Sequence, residues 1–284
     1  MRVIEKLKGK KKYYYLKHSV RVKGKVVTKE KYIGTVPPDE IAPLVSELRK
    51  ELYTDIYNQL ESIMTNFQED WKNLPKSIKE QQKQELSVVF TYNTNAIEGS
   101  TITENEVRGI ILEKIAPGKA LRDIAEVESH NKVFLGMLDR DIKITSALLK
   151  KWHREIFGKT NNEISGVFRN YQVRVGSFFP PNWKDVKPLM HKLMHFITKY
   201  RNIINPVELA AISHYRFEKI HPFGDGNGRI GRLLTNQILW HSKYPLLIIE
   251  YKGRDKYYRA LTRNEDSFIN YFFQRYLAVH KSWI

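Results

Sequence analysis

Residues 221–232 read His-Pro-Phe-Gly-Asp-Gly-Asn-Gly-Arg-Ile-Gly-Arg, twelve positions holding one histidine, one aspartate, one asparagine, two arginines and four glycines. A packed core has no use for that mixture. What flanks it decides the fold. Asn205-Pro206-Val207-Glu208 opens a helix, with Asn as cap, Pro in the first turn and Glu three residues after the cap. Leu209, Ile212, Phe217 and Ile220 then share an arc of about 140° at the helical period, so His221 falls where that helix ends. A second helix is expected over 229–242, with Leu233, Leu234, Ile238 and Leu239 on its inner side. The unit is helix, Gly-rich loop, helix N-terminus.

Such a unit is an anion site. The helix N-terminus offers free N–H donors and a partial positive charge, and the glycines let successive N–H groups converge. Arg229 and Arg232, three apart, share a helical face and add two forked donors suited to phosphate. Asp225 beside phosphates calls for a cation, and Mg²⁺ binds one carboxylate plus phosphate oxygens in this way. His221 at the rim is a base near neutral pH. The chemistry that uses all four is transfer from a nucleoside triphosphate to a hydroxyl.

Two other readings fail on context. Residues 226–231 match the dinucleotide fingerprint GxGxxG, with Glu250 about 20 residues on where a ribose ligand belongs, but that fingerprint follows a strand and here a capped helix precedes it. A P-loop needs Gly-Lys-Ser/Thr after its glycines, and none follows.

The rest of the chain reads as mainly α. Residues 11–34, rich in Tyr and Val with Lys23-Gly24 between two extended runs, predict a β-hairpin with room for a third strand. Pro37-Pro38 punctuates the chain, Asp39 is a candidate cap, and a helical pattern runs from 39 to about 90, broken at Leu74-Pro75, with a second helix over 76–97. Thr103 and Glu106 form a capping box that predicts a helix from 104 to Ile115. Further helices are expected over 120–138, 144–158, 184–201, 206–220 and 254–278. Residues 163–183, β-branched and aromatic, predict a short hairpin or extended flap. The divisions are 1–36 as a basic β-hairpin appendage, 37–140 as a helical region and 141–278 as the catalytic unit.

Composition bounds the setting. The 284 residues carry a net charge of +17, are 42% hydrophobic and contain no cysteine. Disulfides and thiol catalysis are excluded. No apolar run approaches a membrane span and the N-terminus has no apolar signal core, so a cytoplasmic address without membrane contact is the expectation. Residues 1–36 hold 12 Lys/Arg against Glu5 and Glu30, leaving +7 for the other 248. That imbalance suggests an anionic partner such as nucleic acid, or a solvated lysine-rich edge. The nine histidines show no metal-ligand spacing with carboxylates. His214, nearly in line with His221 on one helical face, reads as a packed core residue.

The stretch 221–232 resembles the signature of the Fic (Fido) family, His-Pro-Phe-x-Asp/Glu-Gly-Asn-Gly-Arg-x-x-Arg, at every specified position, and the likeness extends over roughly 90–278. It implies an all-α core and transfer of AMP from ATP to a Ser, Thr or Tyr hydroxyl of a protein. By that resemblance His221 deprotonates the hydroxyl and Asp225 holds Mg²⁺. Asn227 with the N–H groups of Gly226 and Gly228 holds the α-phosphate, and Arg229 and Arg232 hold the outer phosphates. "VRVGSFFPP" (173–181) resembles the family's flap, with Val175, Gly176, Ser177 and Phe178 bordering the nucleotide. Tyr257-Tyr258 resembles an aromatic pair near the adenine, and Asn264 is a weaker match. "TNAIEGS" (94–100) taken alone is a helix end, with Glu98 on the wrong end of the dipole and in want of a cation. It resembles the family's inhibitory motif at Thr94 and Glu98-Gly99, in the class II arrangement, which implies that Glu98 pairs with Arg232 and blocks productive ATP binding. The partners so implied are a target-protein hydroxyl, the chain itself as acceptor, and a homodimer. The alternatives are AMP removal, another nucleotide or a phosphodiester donor such as CDP-choline, and a nucleic-acid-binding regulator with a vestigial site.

Overall fold

The computed structural model describes residues 1–22, 25–38 and 40–284, so the Lys23-Gly24 turn and the Asp39 cap lie outside the described residues. The Tyr/Val-rich N-terminus forms a three-stranded antiparallel sheet in the order β1 (Arg2–Lys8), β2 (Lys11–Val22), β3 (Lys25–Gly34). Tyr15 and Tyr32, opposite in register, hold their rings 5.4 Å apart, a cross-strand pair of the kind that stabilises sheets. Several of the sheet's lysines are paired: Lys17 with Glu30 at 2.8 Å, Lys6 with the same carboxylate, and Lys31 with Glu47 at 2.7 Å. Glu47 belongs to α1 (Ala42–Leu52), against which β2 and β3 pack, with Leu16 of β2 fully buried.

The pattern expected to run unbroken to Leu74 divides at Tyr53, whose ψ of 35° is not helical. Thr54 supplies the reason. Its hydroxyl bonds the carbonyls of Lys50 and Glu51 at 3.2 and 3.3 Å, a side-chain competitor for backbone geometry that periodicity does not register. Beyond it lie α2 (Thr54–Asn73) and α3 (Lys76–Ile97). The capping box of Thr103 and Glu106 is formed, but α4 (Glu104–Arg108) passes into a single π turn over Gly109–Glu113. Val107, Ile110 and Ile111 of this pair join Val88, Ile102, Ile124 and Val127 in a small satellite core.

Then follow α5 (Leu121–Asp139), α6 (Ser146–Phe157), α7 (Trp183–Tyr200), α8 (Pro206–Ile220) and α9 (Asn227–His241). The helix expected over 254–278 is two, α10 (Arg254–Thr262) and α11 (Glu265–Val279), because Asn264 caps α11 by accepting from Ser267 N at 2.9 Å. Between α6 and α7 no strand forms among the described residues. Only Val175 and Phe178 pair, around Gly176 at φ +58°.

α8 runs through the middle of the main core and packs on α7, α9 and α11. Ala210 and Ala211, fully buried, sit on it. Glu208, fully buried on the same helix, accepts from Ser46 at 2.7 Å, Tyr57 at 2.6 Å and Arg49, which also reaches Asp266 at 2.6 Å. One satisfied polar hub thereby ties α1, α2 and α11 to the helix that ends in His221.

Candidate active site

His221 closes α8 in the left-handed region, φ +50°, with its N–H on the Phe217 carbonyl at 2.9 Å. The turn that follows is clamped from inside. The Asn227 side chain accepts from Phe223 N at 2.8 Å and donates to Phe223 O at 3.0 Å. His153 of α6 accepts from Gly166 N through Nδ1 at 2.9 Å, so its Nε2 carries the proton and donates to Asp225 O at 3.0 Å. Its ring stacks on Phe223, centroids 4.0 Å apart. Gly226 has φ +72°, and a β-carbon there would run into the Phe157 ring, so glycine is required on both counts.

α9 then begins without any side-chain cap. Its first N–H groups, on Asn227, Gly228 and Arg229, are left for an external acceptor. Asp225 stands beside this end with its side chain 58% exposed; Oδ1 accepts from Gly226 N at 2.7 Å and Oδ2 lies 3.9 Å from Arg229.

Both arginines are engaged. Arg229 donates to Glu126 at 2.5 Å and Asn95 at 3.3 Å and stacks 4.2 Å above the Phe157 ring. Arg232, its side chain only 4% exposed, donates from Nε to Thr94 Oγ1 at 2.7 Å, and from Nη2 to Thr94 O at 3.0 Å and Glu98 Oε1 at 2.6 Å. The Glu98 carboxylate overlies the start of α9, since a β-carbon on Gly228 would collide with its Oε1. A carboxylate of the chain itself therefore lies against this helix end.

Burial sets the site's protonation. It pushes the His221 imidazole down to about 4, so the ring is neutral at pH 7. Its Nδ1 lies 4.0 Å from the Glu218 carboxylate. Burial pushes that carboxyl up to about 8, with Oε1 unpartnered beneath Gly231. The Glu98 carboxylate holds the Arg232 guanidinium firmly charged despite its burial.

Motif residues 221–232 and Glu98 thus come together. The Tyr257-Tyr258 pair divides. Tyr257 is 1% exposed and bonds His214 Nε2 at 2.7 Å, which makes it a core residue rather than a wall of an open pocket. Tyr258 stays at the surface, bonded to the Ile97 carbonyl at 3.1 Å. His214 is the packed core residue expected, its Nδ1 3.0 Å from Thr235. Asn264 is spent as a helix cap. Val175–Phe178 are mostly exposed, with the Phe178 ring 4.5 Å under Lys219, two residues before His221. Arg169 links the flap to the base: its guanidinium donates to His221 O at 2.8 Å, Tyr171 O at 3.1 Å and Pro181 O at 2.7 Å. Sequence reasoning missed Arg169, Glu126, His153 and Glu218. Each stands close to other polar residues in the sequence, so no local pattern marked it, and only packing shows which of them is buried with a partner.

Residues 143–239 match the family model described as Fic/DOC family. The chain is 33% identical over 229 residues to a protein adenylyltransferase Fic of Nematostella vectensis, covering 78% of this chain and 52% of that protein, and 34% identical over 190 residues to that of Drosophila virilis, covering 63% and 38%. It spans about half the length, or less, of these curated relatives. Among solved structures it is similar to Fic-1 of C. elegans, with a TM-score of 0.70 and 25% identity over 87% of this chain and 77% of that one. The signature around His221 lies within the stretch that matches the Fic/DOC model, and the helical scaffold that presents it is similar to these Fic proteins.

Proposed function

We propose that this protein transfers AMP from ATP to a hydroxyl of a protein and holds itself inactive through Glu98. One observation carries the reading: the Glu98 carboxylate bonds Arg232 while lying against the uncapped start of α9. A helix end and a buried arginine converging on one point form a phosphate site, and a carboxylate there is a phosphate's surrogate. The relatives' name, protein adenylyltransferase, supports the same reaction.

In the reaction, the nucleotide's phosphates take the place of the Glu98 carboxylate on α9 and Arg232. The target hydroxyl gives its proton to the neutral His221 ring. A bond forms from that oxygen to the α-phosphorus, the bond from phosphorus to the bridging oxygen breaks, and pyrophosphate leaves. Asn227 acts through its backbone N–H, since its amide holds the loop. Arg229 contributes what its ties to Glu126 and Asn95 leave free.

Asp225 fits a divalent cation. Its carboxylate is exposed and only Oδ1 is engaged by Gly226 N. Asp225 is a single carboxylate at the phosphate site, the donor set with which Mg²⁺ would be held together with substrate phosphate oxygens and water. When bound, the ion would offset charge on the leaving pyrophosphate.

Incubating the protein and its Glu98→Gly variant with α-³²P-ATP and lysate tests the reading. Label should pass to protein, more with the variant, and none with His221→Ala. Label transfer that survives His221→Ala would refute it.

A further inference from the structure

The site described so far accounts for the nucleotide and leaves open what kind of polypeptide is presented to His221. A groove of about 520 Å³ lies between α7 and α8, floored by Leu189, Leu193 and Phe196, and shares no lining residue with the phosphate site. It ends at Ile220, the residue before His221, and at Pro181, the end of the flap. Arg169 bonds the Pro181 and His221 carbonyls with one guanidinium, so the mouth of the groove and the base are held within the span of a single side chain.

The rim is cationic. Lys192 and Lys199 of α7 and Arg216 and Lys219 of α8 line the groove, against one carboxylate, Glu40. Lys199 is paired with Glu40 and Arg216 with Glu265 at 2.7 Å. Lys192 and Lys219 have no ion pair among the described residues. Lys219 lies 4.5 Å over the Phe178 ring of the flap, with burial pulling its ammonium down from the usual lysine range. An unpaired ammonium partly withdrawn from water gains from a carboxylate far more than an exposed one does.

We infer that this groove receives the segment of the target that flanks the modified hydroxyl, and that it selects segments carrying Asp or Glu beside an apolar residue. The inference rests on the AMP-transfer reading. The apolar residue covers Leu189, Leu193 and Phe196, the acidic ones meet Lys192 and Lys219, and the Val175–Phe178 turn, whose Phe178 ring lies under Lys219, adjoins the same segment. Charge on the rim acts on partner choice and encounter more than on the chemical step.

The test uses the Glu98→Gly protein, α-³²P-ATP and three acceptor peptides of equal length, each with the same hydroxyl residue and an apolar neighbour, flanked by Asp/Glu, by Asn/Gln or by Lys/Arg. The acidic peptide should show a kcat/KM about tenfold above the neutral one, and that advantage should shrink as salt rises from about 0.05 to about 0.5 M. Lys192→Glu and Lys219→Glu should each lower kcat/KM for the acidic peptide and raise it for the basic one, with Mg-ATP affinity by calorimetry unchanged. Equal kcat/KM for all three peptides overturns the inference, as does a preference that survives both reversals. So does labelling of lysate proteins but of none of the peptides. A dimer that dissociates in sedimentation on Lys192→Glu assigns the groove to a second copy and overturns it as well. No transfer to any acceptor overturns the AMP-transfer reading itself.

Discussion

Arg232 Nη2 donates to Glu98 Oε1 across 2.6 Å, between a side chain 4% exposed and one 31% exposed at the C-terminal end of α3. The two ends of this pair differ in freedom. Arg232 is anchored by Thr94 as well and cannot leave; Glu98 is a helix C-cap and can.

Glu98→Gly should therefore raise label transfer by about tenfold or more, since the freed Arg232 lets the triphosphate settle in line, a positioning effect that can be worth several kcal/mol. The same change should lower stability by about 1–2 kcal/mol, because Arg232 loses a charged partner. Arg232→Ala should give no gain, having lost the phosphate ligand too. Equal or lower transfer by Glu98→Gly in a side-by-side assay would remove the autoinhibition claim.

Glu126 is the opposite case. It sits inside α5, holds Arg229 at 2.5 Å and accepts from Thr160 at 2.8 Å. Glu126→Ala strands a buried guanidinium, so urea unfolding should show a loss of about 3–5 kcal/mol, well above that of Glu98→Gly. Comparable losses for the two variants would show that Arg229 does not depend on Glu126.

For His221 the folded value of about 4 lies below the ordinary 6.5. The ring stays neutral across pH 5–8, so transfer by the Glu98→Gly protein should show no titration near 6.5 from this base. In stability the unfolded state binds more protons between those values, so this histidine's contribution is present above 6.5 and lost as pH falls toward 4. His153 and His214, also depressed to about 4 by burial, act in the same direction. Unfolding free energy should drop steeply over that window, and His221→Asn should make the drop shallower.

Glu218 carries the reverse sign. Its folded value of about 8 stands above the ordinary 4.5, so its contribution is fully present below 4.5 and lost as pH rises through 8. Glu218→Gln should gain on wild type between pH 6 and pH 8.5, by on the order of 2–3 kcal/mol at the upper end. A constant difference across that range would mean the carboxyl is not neutral in the folded protein.

The local chemistry was legible because it is local. Asn205, Pro206 and Glu208 start α8 wherever it packs, and the order His, glycines, Arg places a base, an anion nest and two donors on consecutive turns of one helix pair. Glu98 was legible as a carboxylate at a helix end that wanted a cation. The boundary at Tyr53 and the cap at Asn264 escaped, since a Thr back-bond and an Asn cap act at one residue while periodicity averages over many.

What the sequence determined by itself was the helix–loop–helix unit and the residue types that face its ligand, because those follow from spacing along one chain. Tertiary structure alone decided which partner each residue keeps. Arg229 meets Glu126 from 103 residues away, Arg169 meets His221 and Pro181, and Tyr257 turns inward while Tyr258 stays out. Such pairings depend on how helices distant in sequence lie against one another, and burial then fixes the ionisation of whatever they enclose.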